Sequence, residues 1–230
     1  MLIPAIDVKT NYPTTISISN ESYQKILEAK AEVDESEEQE RLYIQERIDL
    51  KFTEHEQSTL WLCMNDKNDE LIHERLNPIV RKHMNSTVPV ELYRGISGIE
   101  ANKLFDLNEG DEFTLGRVTS FSSDFATAKQ FAGRWHYDSN IILSMRNCPW
   151  AYNYQEDIIN IVLGAPDEEY MAMHVDVKEQ RADKLDMVQG ECEFMLPKEA
   201  RYRIVNIEDN FQTDPNAMSY TIIHLELIEW

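Results

Sequence analysis

The texture of the chain changes once, near Val88, and that change limits the folds open to it. Before it, residues Asn20 to Phe52 are rich in Glu, Gln, Lys, Leu and Ile and contain no Gly or Pro. Nothing in such a stretch interrupts a helix, and most of these residue types lose little side-chain freedom in one. After Val88, short β-prone runs alternate with Gly, Asn and Asp turns, the pattern of half-buried strands joined by turns. Helices gathered in one part and strands in another build an α+β domain rather than a doubly wound parallel one. The expected organisation is a helical region over residues 1–87, part of the same domain as a strand-rich core over residues 88–230.

Local signals fill in that outline. Glu32 to Glu40 is strongly acidic and reads as a solvated helix face or a helix–helix connection. Thr53 with Glu56 fits a capping box and predicts a helix carrying Leu60, Trp61 and Met64. Asn77–Pro78 predicts a further helix start, since proline is tolerated at the first helical position, with Ile79, Val80 and Met84 as its buried stripe. Val90 to Tyr93, Glu112 to Phe121, Ile141 to Met145, Glu191 to Leu196, Tyr202 to Ile207 and Tyr220 to Ile228 read as strands. Asp124 to Gly133 reads as one short helix with Asp124 as its N-cap. Tyr152 to Gln180 is ambiguous, with a helical start and a turn at Gly164–Pro166.

At 230 residues and 42 % apolar content the chain can bury a real core. No apolar run approaches the roughly 18 residues that span a bilayer, and MLIPAIDVKT lacks the basic and apolar regions of a secretory signal. Cys63, Cys148 and Cys192 are odd in number and far apart, which points to free thiols in a reducing, cytoplasmic setting. The net charge of −20 repels nucleic-acid phosphates and anionic membranes and favours a basic protein partner. It also means that an anionic ligand needs a specific cationic contact.

Common motifs are missing: there is no Gly-rich phosphate loop, no HExxH and no CxxC. The histidines are scattered, and His174 and His224 in apolar surroundings read as structural or surface residues. Three features matter as a set. In Leu92-Tyr93-Arg94-Gly95 an arginine closes a β-prone run, and guanidinium matches phosphate oxygens in bidentate geometry. In Thr119-Ser120-Phe121-Ser122-Ser123, strand alternation puts Ser120 and Ser122 on one face and Phe121 on the other. In Gly190-Glu191-Cys192-Glu193-Phe194, it puts Glu191 and Glu193 on one strand face with Cys192 and Phe194 toward the core, the carboxylates about 7 Å apart. Taken singly, these are also what a surface arginine, a strand end entering a helix cap and a solvated acid pair look like.

Together, in this order, they resemble the arginine-directed mono-ADP-ribosyltransferases, which carry an arginine on one strand, a Ser-x-Ser element on a second and a Glu-x-Glu pair on a third. The chain looks most similar to the host-modifying transferases of large tailed phages and also resembles the clostridial binary-toxin enzymes. The matching pieces are YRG, SFSSDFATAKQFA and GECEFMLP, over about Leu92 to Pro197. The resemblance implies two packed, mainly antiparallel sheets around an NAD cleft, covered on one side by the N-terminal helices. It implies NAD as co-substrate and no metal. Arg94 would grip the pyrophosphate, the Gly95 backbone would bond the nicotinamide amide and Phe131 would pack on the nicotinamide ring. Ser120 and Ser122 would belong to the NAD site, with Ser120 fixing Glu193. Glu193 would stabilise the oxocarbenium-like transition state, and Glu191 would orient and deprotonate the acceptor arginine. The implied partner is a protein with an accessible arginine, in the host transcription or translation machinery, met by a monomeric enzyme in the host cytoplasm.

Two departures from the family pattern stand out. Phe121 occupies a middle position that is usually small, and Met187, Val188 and Gln189 stand where the turn before the glutamates often carries an aromatic residue. The second implies a different hold on the target. Two alternatives remain open at this point: a catalytically silent binding module of the same fold, and an NAD glycohydrolase that transfers to water.

Overall fold

The computed structural model describes residues 2–6, 13–17, 20–65, 70–104, 106–133, 138–170, 176–212 and 219–230; His174 lies outside them. The uninterrupted stretch forms one helix, α1, Asn20–Lys51. Residues 32–40 are all exposed, so the acidic run is a solvated helix face and not a connection. Ahead of α1, β1 (Leu2–Ile6) and β2 (Pro13–Ser17) pair as an antiparallel ribbon in a region read as helical. The capping box is present: the Thr53 N–H donates to Glu56 Oε2 at 2.8 Å and the Glu56 N–H to Thr53 Oγ1 at 3.3 Å. It opens α2, Glu54–Asn65.

The expected helix start at Asn77–Pro78 is corrected. Helix α3 begins at Glu70, runs to His83 and holds Pro78 in its interior. An interior proline gives up one helical hydrogen bond. The helix tolerates this because Ile72, Leu76, Ile79 and Val80, at helical spacing, are all buried and burial outweighs propensity. Asn77 is not a cap: its amide donates to Glu199 at 3.0 Å and accepts from the Lys198 N–H at 2.9 Å.

The remaining elements are β3 (Glu91–Ser97), α4 (Gly98–Ala101), β4 (Glu112–Thr114), β5 (Thr119–Ser122), α5 (Phe125–Gly133), β6 (Asp138–Arg146), β7 (Tyr152–Asn153), α6 (Tyr154–Gly164), a short 3-10 helix (Asp167–Tyr170), α7 (Val177–Glu191), β8 (Glu193–Leu196), β9 (Arg201–Phe211) and β10 (Tyr220–Glu229). The strand expected over Glu112 to Phe121 is two strands, parted near Gly116 at φ +69°. Part of the ambiguous region is helical, as α6 and the start of α7. Among the described residues no helix is long and apolar enough to cross a membrane.

The hydrogen-bonded ladder runs β4-β9-β10-β6-β3-β5-β8-β7, antiparallel except between β6 and β10. Between β3 and β5 it rests on a single pair, Tyr93 with Ser122. That seam divides five strands from three, and the inner faces of the two blocks share a core. Leu92, Leu143, Met145, Tyr202 and Leu225 come from one block, and Phe121, Phe194 and Leu196 from the other. The packing is that of two sheets; what differs from the sequence reading is that the ladder passes between them. The outer face of the three-stranded block, through Tyr152 and Met195, packs on Leu60, Leu76, Val80 and Ile158 of the helical layer. Helix α5 lies on the outer face of the five-stranded block, Ala128 and Ala132 against Ile142 and Ile222. Its approach to β3 is close: a Cβ on Gly95 would lie 2.1 Å from the Ala128 carbonyl oxygen.

Candidate active site

The seam between the blocks gathers the groups singled out in the sequence. Arg94 lies on β3 one residue past the last pair with β5, where the two strands part. Its Nη1 donates across the gap to the Ser120 carbonyl at 2.9 Å. Its Nη2 donates to both oxygens of Glu100, at 3.1 and 3.3 Å. The same carboxylate takes a short ion pair from Arg117. Burial works to raise the pKa of Glu100, but Arg94 and Arg117 hold it below the usual range.

Ser120 and Glu193 sit on facing strands, with Ser120 paired to Met195 and Ser122 to Glu193. Alternation turns Phe121 and Phe194 into the core between the sheets and Glu193 to the opposite face, as the sequence predicts for the serines. The Ser120 side chain hydrogen-bonds the Glu193 carboxyl. Burial pushes that carboxyl up to about 7, Glu191 adds to the rise, and the Ser120 bond and the charge of Arg94 oppose it. A carboxyl so placed changes charge near neutral pH, as groups in reactive sites commonly do. Ser122 is more local: its Oγ accepts the Asp124 N–H at 3.0 Å, in the turn into α5. Asp124 caps that helix, accepting from the N–H groups of Ala126 and Thr127 at 3.0 and 3.2 Å.

The placement of Glu191 is corrected. It is the last residue of α7, not part of a strand. Cys192 follows as a left-handed C-cap at φ 47°, and β8 begins only at Glu193. The two carboxylates therefore do not share a strand face; a helix end and a strand start bring them together. Cys192 is half-buried, not a core residue. Met187, Val188 and Gln189 belong to α7 and form no turn. Helical structure through Gly190 is held from outside: Thr127 of α5 donates to the Gly190 carbonyl at 2.8 Å, and the Ser123 N–H donates to the Cys192 carbonyl at 3.0 Å.

Gly95 and Phe131 meet where α5 crosses β3; the Phe131 backbone is among the atoms that a Gly95 Cβ would strike. The Phe131 ring is exposed. Glu100 and Arg117 were not singled out in the sequence. Arg117 stands three residues before Ser120, a signal that was open to reading, whereas nothing near Glu100 marks it.

The family model described as Bacteriophage T4 Mod ADP-ribosyltransferase matches residues 14–229. The chain belongs to that family. It is 34 % identical over 182 residues to the NAD–protein ADP-ribosyltransferase ModB of Enterobacteria phage T4, covering 78 % of this chain and 86 % of ModB. Solved structures of more distant ADP-ribosyltransferases are also similar. Plx2a, a toxin of Paenibacillus larvae, is 14 % identical with a TM-score of 0.45, over 85 % of this chain and 96 % of that one. HopU1 of Pseudomonas syringae is 14 % identical with a TM-score of 0.40, over 72 % of this chain, which spans 57 % of HopU1. The assignment rests on the family match and on ModB. As a Mod ADP-ribosyltransferase, the chain has NAD as its co-substrate, and Arg94, Ser120 and Glu193 stand in mutual contact or charge range within its fold.

Proposed function

We propose that this Mod ADP-ribosyltransferase moves ADP-ribose from NAD to arginine side chains of a protein and releases nicotinamide. The observation that carries the reading is the half-buried Glu193 carboxyl, held by Ser120, with Arg94 and Glu191 as the charges that act on it. Nicotinamide already leaves well, so the reaction asks for negative charge beside a developing oxocarbenium ion and not for a strong acid. Ionised Glu193 supplies that charge and binds a ribose hydroxyl; Ser120 fixes its rotamer. Arg94 holds the pyrophosphate. Among the described residues, β3 has no strand partner toward β5 past Tyr93, so the Gly95 backbone is open to the nicotinamide amide, and Phe131 packs on the ring. Ser122 shapes the same wall through the turn it closes.

The bond from ribose to nicotinamide breaks with its electrons going to nicotinamide. An arginine nitrogen attacks the ribose carbon, and Glu191 takes the proton that this nitrogen sheds. Glu191 at a helix end can approach an acceptor from a different direction than Glu193 on its strand, which suits two carboxylates with different tasks. The acidic surface favours a basic acceptor protein. By likeness to phage enzymes, the class of target is the host transcription or translation machinery in the host cytoplasm.

The test is release of nicotinamide with and without agmatine as arginine acceptor. Glu193→Gln should lose both transfer and hydrolysis of NAD. Glu191→Gln should lose transfer and keep much of the hydrolysis. Equal loss of both activities in both variants would refute the division of labour, and full transfer by Glu193→Gln would refute the whole assignment.

A further inference from the structure

Helix α7 ends in a way that its own sequence does not explain. Val188 is its buried residue, and residues 189–193 are each exposed or half-buried, so no apolar anchor holds the turn that carries Glu191. Gly190 within that turn lowers its helix propensity, and the last carbonyls of a helix have no partner within it. Cys192 then takes the left-handed conformation at φ 47° and ψ 50°, which a residue with a side chain keeps where its surroundings fix it.

Neighbouring elements supply what is missing. The Gly190 carbonyl accepts from the Thr127 hydroxyl at 2.8 Å, and the Cys192 carbonyl accepts from the Ser123 N–H at 3.0 Å. The Gln189 carbonyl accepts from Gln155 Nε2 at 3.3 Å and from the Cys192 thiol at 3.0 Å, and Gln155 Nε2 also meets Cys192 Sγ at 3.9 Å. Thr127 is buried, and its hydroxyl lies 3.0 Å from Asp124 Oδ2 as well. A hydroxyl has one proton to give. The Asp124 carboxylate already accepts the N–H groups of Ala126 and Thr127, so the shorter contact, to the Gly190 carbonyl, takes the proton. Ser120, Ser123 and Thr127 belong to one segment, from β5 into α5. Its Ser120 holds Glu193 by the carboxyl, and its Ser123 and Thr127 hold Glu191 by the backbone on either side. Gln155, near the start of α6, braces the same turn.

We propose that Thr127 and Gln155 are positioning residues for Glu191, and that they set the share of ADP-ribose that goes to an arginine acceptor instead of water. This rests on the reading of Glu191 as the group that takes the acceptor's proton. Both residues act through the backbone of residues 189–192. When either bond is lost the end of α7 frays and the Glu191 carboxylate leaves its place beside the acceptor nitrogen. Water needs no such orientation and still takes the ribose.

The experiment follows nicotinamide release with and without agmatine, together with amide hydrogen exchange over residues 189–193 by mass spectrometry. Thr127→Val keeps the shape of the side chain and removes the hydroxyl. It should lower the ratio of transfer to hydrolysis by about threefold to tenfold, the order set by one hydrogen bond, with KM for NAD unchanged and exchange over residues 189–193 faster. Thr127→Ser keeps the hydroxyl and should restore the ratio. Gln155→Leu removes a donor on a different element and should shift ratio and exchange in the same direction, so a poorly folded Thr127→Val does not decide the matter. An unchanged ratio with unchanged exchange in Thr127→Val and Gln155→Leu overturns the proposal. A fall of both activities and of the melting temperature together, at an unchanged ratio, is what a merely structural role gives and also overturns it. Faster exchange at an unchanged ratio and unchanged stability would leave the bonds as described and overturn the role given to Glu191, and the two failures are thereby distinguished.

Discussion

At the scale of single residues, the carboxyl of Glu193 links stability to activity. Between its ordinary value of 4.5 and about 7 the folded chain keeps the proton that the unfolded chain releases. Stability from this group is full below that window, falls as pH rises through it and is flat above. The loss is on the order of 3 kcal/mol. Glu193→Gln has no such proton to lose, so its denaturation midpoint should decline less than that of the unsubstituted chain between about pH 5 and pH 8; parallel declines would show that Glu193 titrates normally. Activity moves the other way, because only the ionised carboxylate stabilises a cation. Hydrolysis of NAD should climb with pH toward a plateau above about 7. The charge of Glu191 helps to raise Glu193, so Glu191→Gln should carry that acid limb to lower pH while hydrolysis persists. A limb that stays in place would mean that the two carboxylates do not interact. Arg94, Ser120 and Glu193 were legible in the sequence because strand alternation and residue order report them directly. Arg117 and Glu100 were not, because an ion pair between residues 17 apart leaves no periodic trace.

At the scale of elements, two glycines placed on helices and strands should respond to the same substitution with opposite sign. Gly95 has no room: an added Cβ would meet the Ala128 carbonyl at 2.1 Å and the Ala132 nitrogen at 2.5 Å, both backbone atoms that cannot swing aside. Gly95→Ala should force α5 away from β3 and destabilise by roughly 1–3 kcal/mol or more, as overpacking does. Gly190 lies inside α7, and a Cβ there would meet nothing. Gly190→Ala should therefore stabilise by about 0.5–1 kcal/mol. Chemical denaturation of both variants checks the pair, and a stabilising Gly95→Ala would show that α5 does not pack as closely as described. Gly190 is also where the sequence misled. A glycine followed by alternating Glu-Cys-Glu-Phe reads as a turn into a strand, yet Thr127 and Ser123 from around α5 hold the backbone so that the helix continues to Glu191. Pro78 is the same lesson: the buried stripe from Ile72 to Val80 carries the helix through it. The helices that were legible, α1, α2 and α5, are those whose caps and composition decide matters locally; Thr53 and Glu56, or Asp124 with Ala126, need no distant partner. The strands β3, β6, β9 and β10 were legible too, from their β-prone runs, whereas long-range contacts settled where α3 and α7 begin and end.

At the scale of the whole molecule, charge acts against the compact state. The chain holds 42 acidic and 22 basic Lys and Arg residues, and folding confines the surplus to one surface. Many cations are already committed: Arg201 and Arg203 both pair with Glu112 and reach Glu229 and Glu226 besides. Such exposed pairs contribute little each, about 0–1 kcal/mol. The surplus is only partly relieved along residues 32–40, where six of nine side chains are acidic and all are exposed: Glu37 pairs with Lys178 and Glu38 with Arg41. Salt weakens both effects, because the screening length shortens from about 30 Å at 0.01 M to about 8 Å at 0.15 M. Repulsion among like charges spread over a surface extends farther than the contact of an ion pair, so it is screened first. The melting temperature should therefore rise between those two salt concentrations. Replacing Glu32, Asp34 and Glu35 by their amides removes part of the surplus without touching the core, so the variant should melt higher at low salt and respond less to added salt. A melting temperature that falls with salt in both proteins would mean that the ion pairs, and not the surplus, govern the electrostatics of this fold.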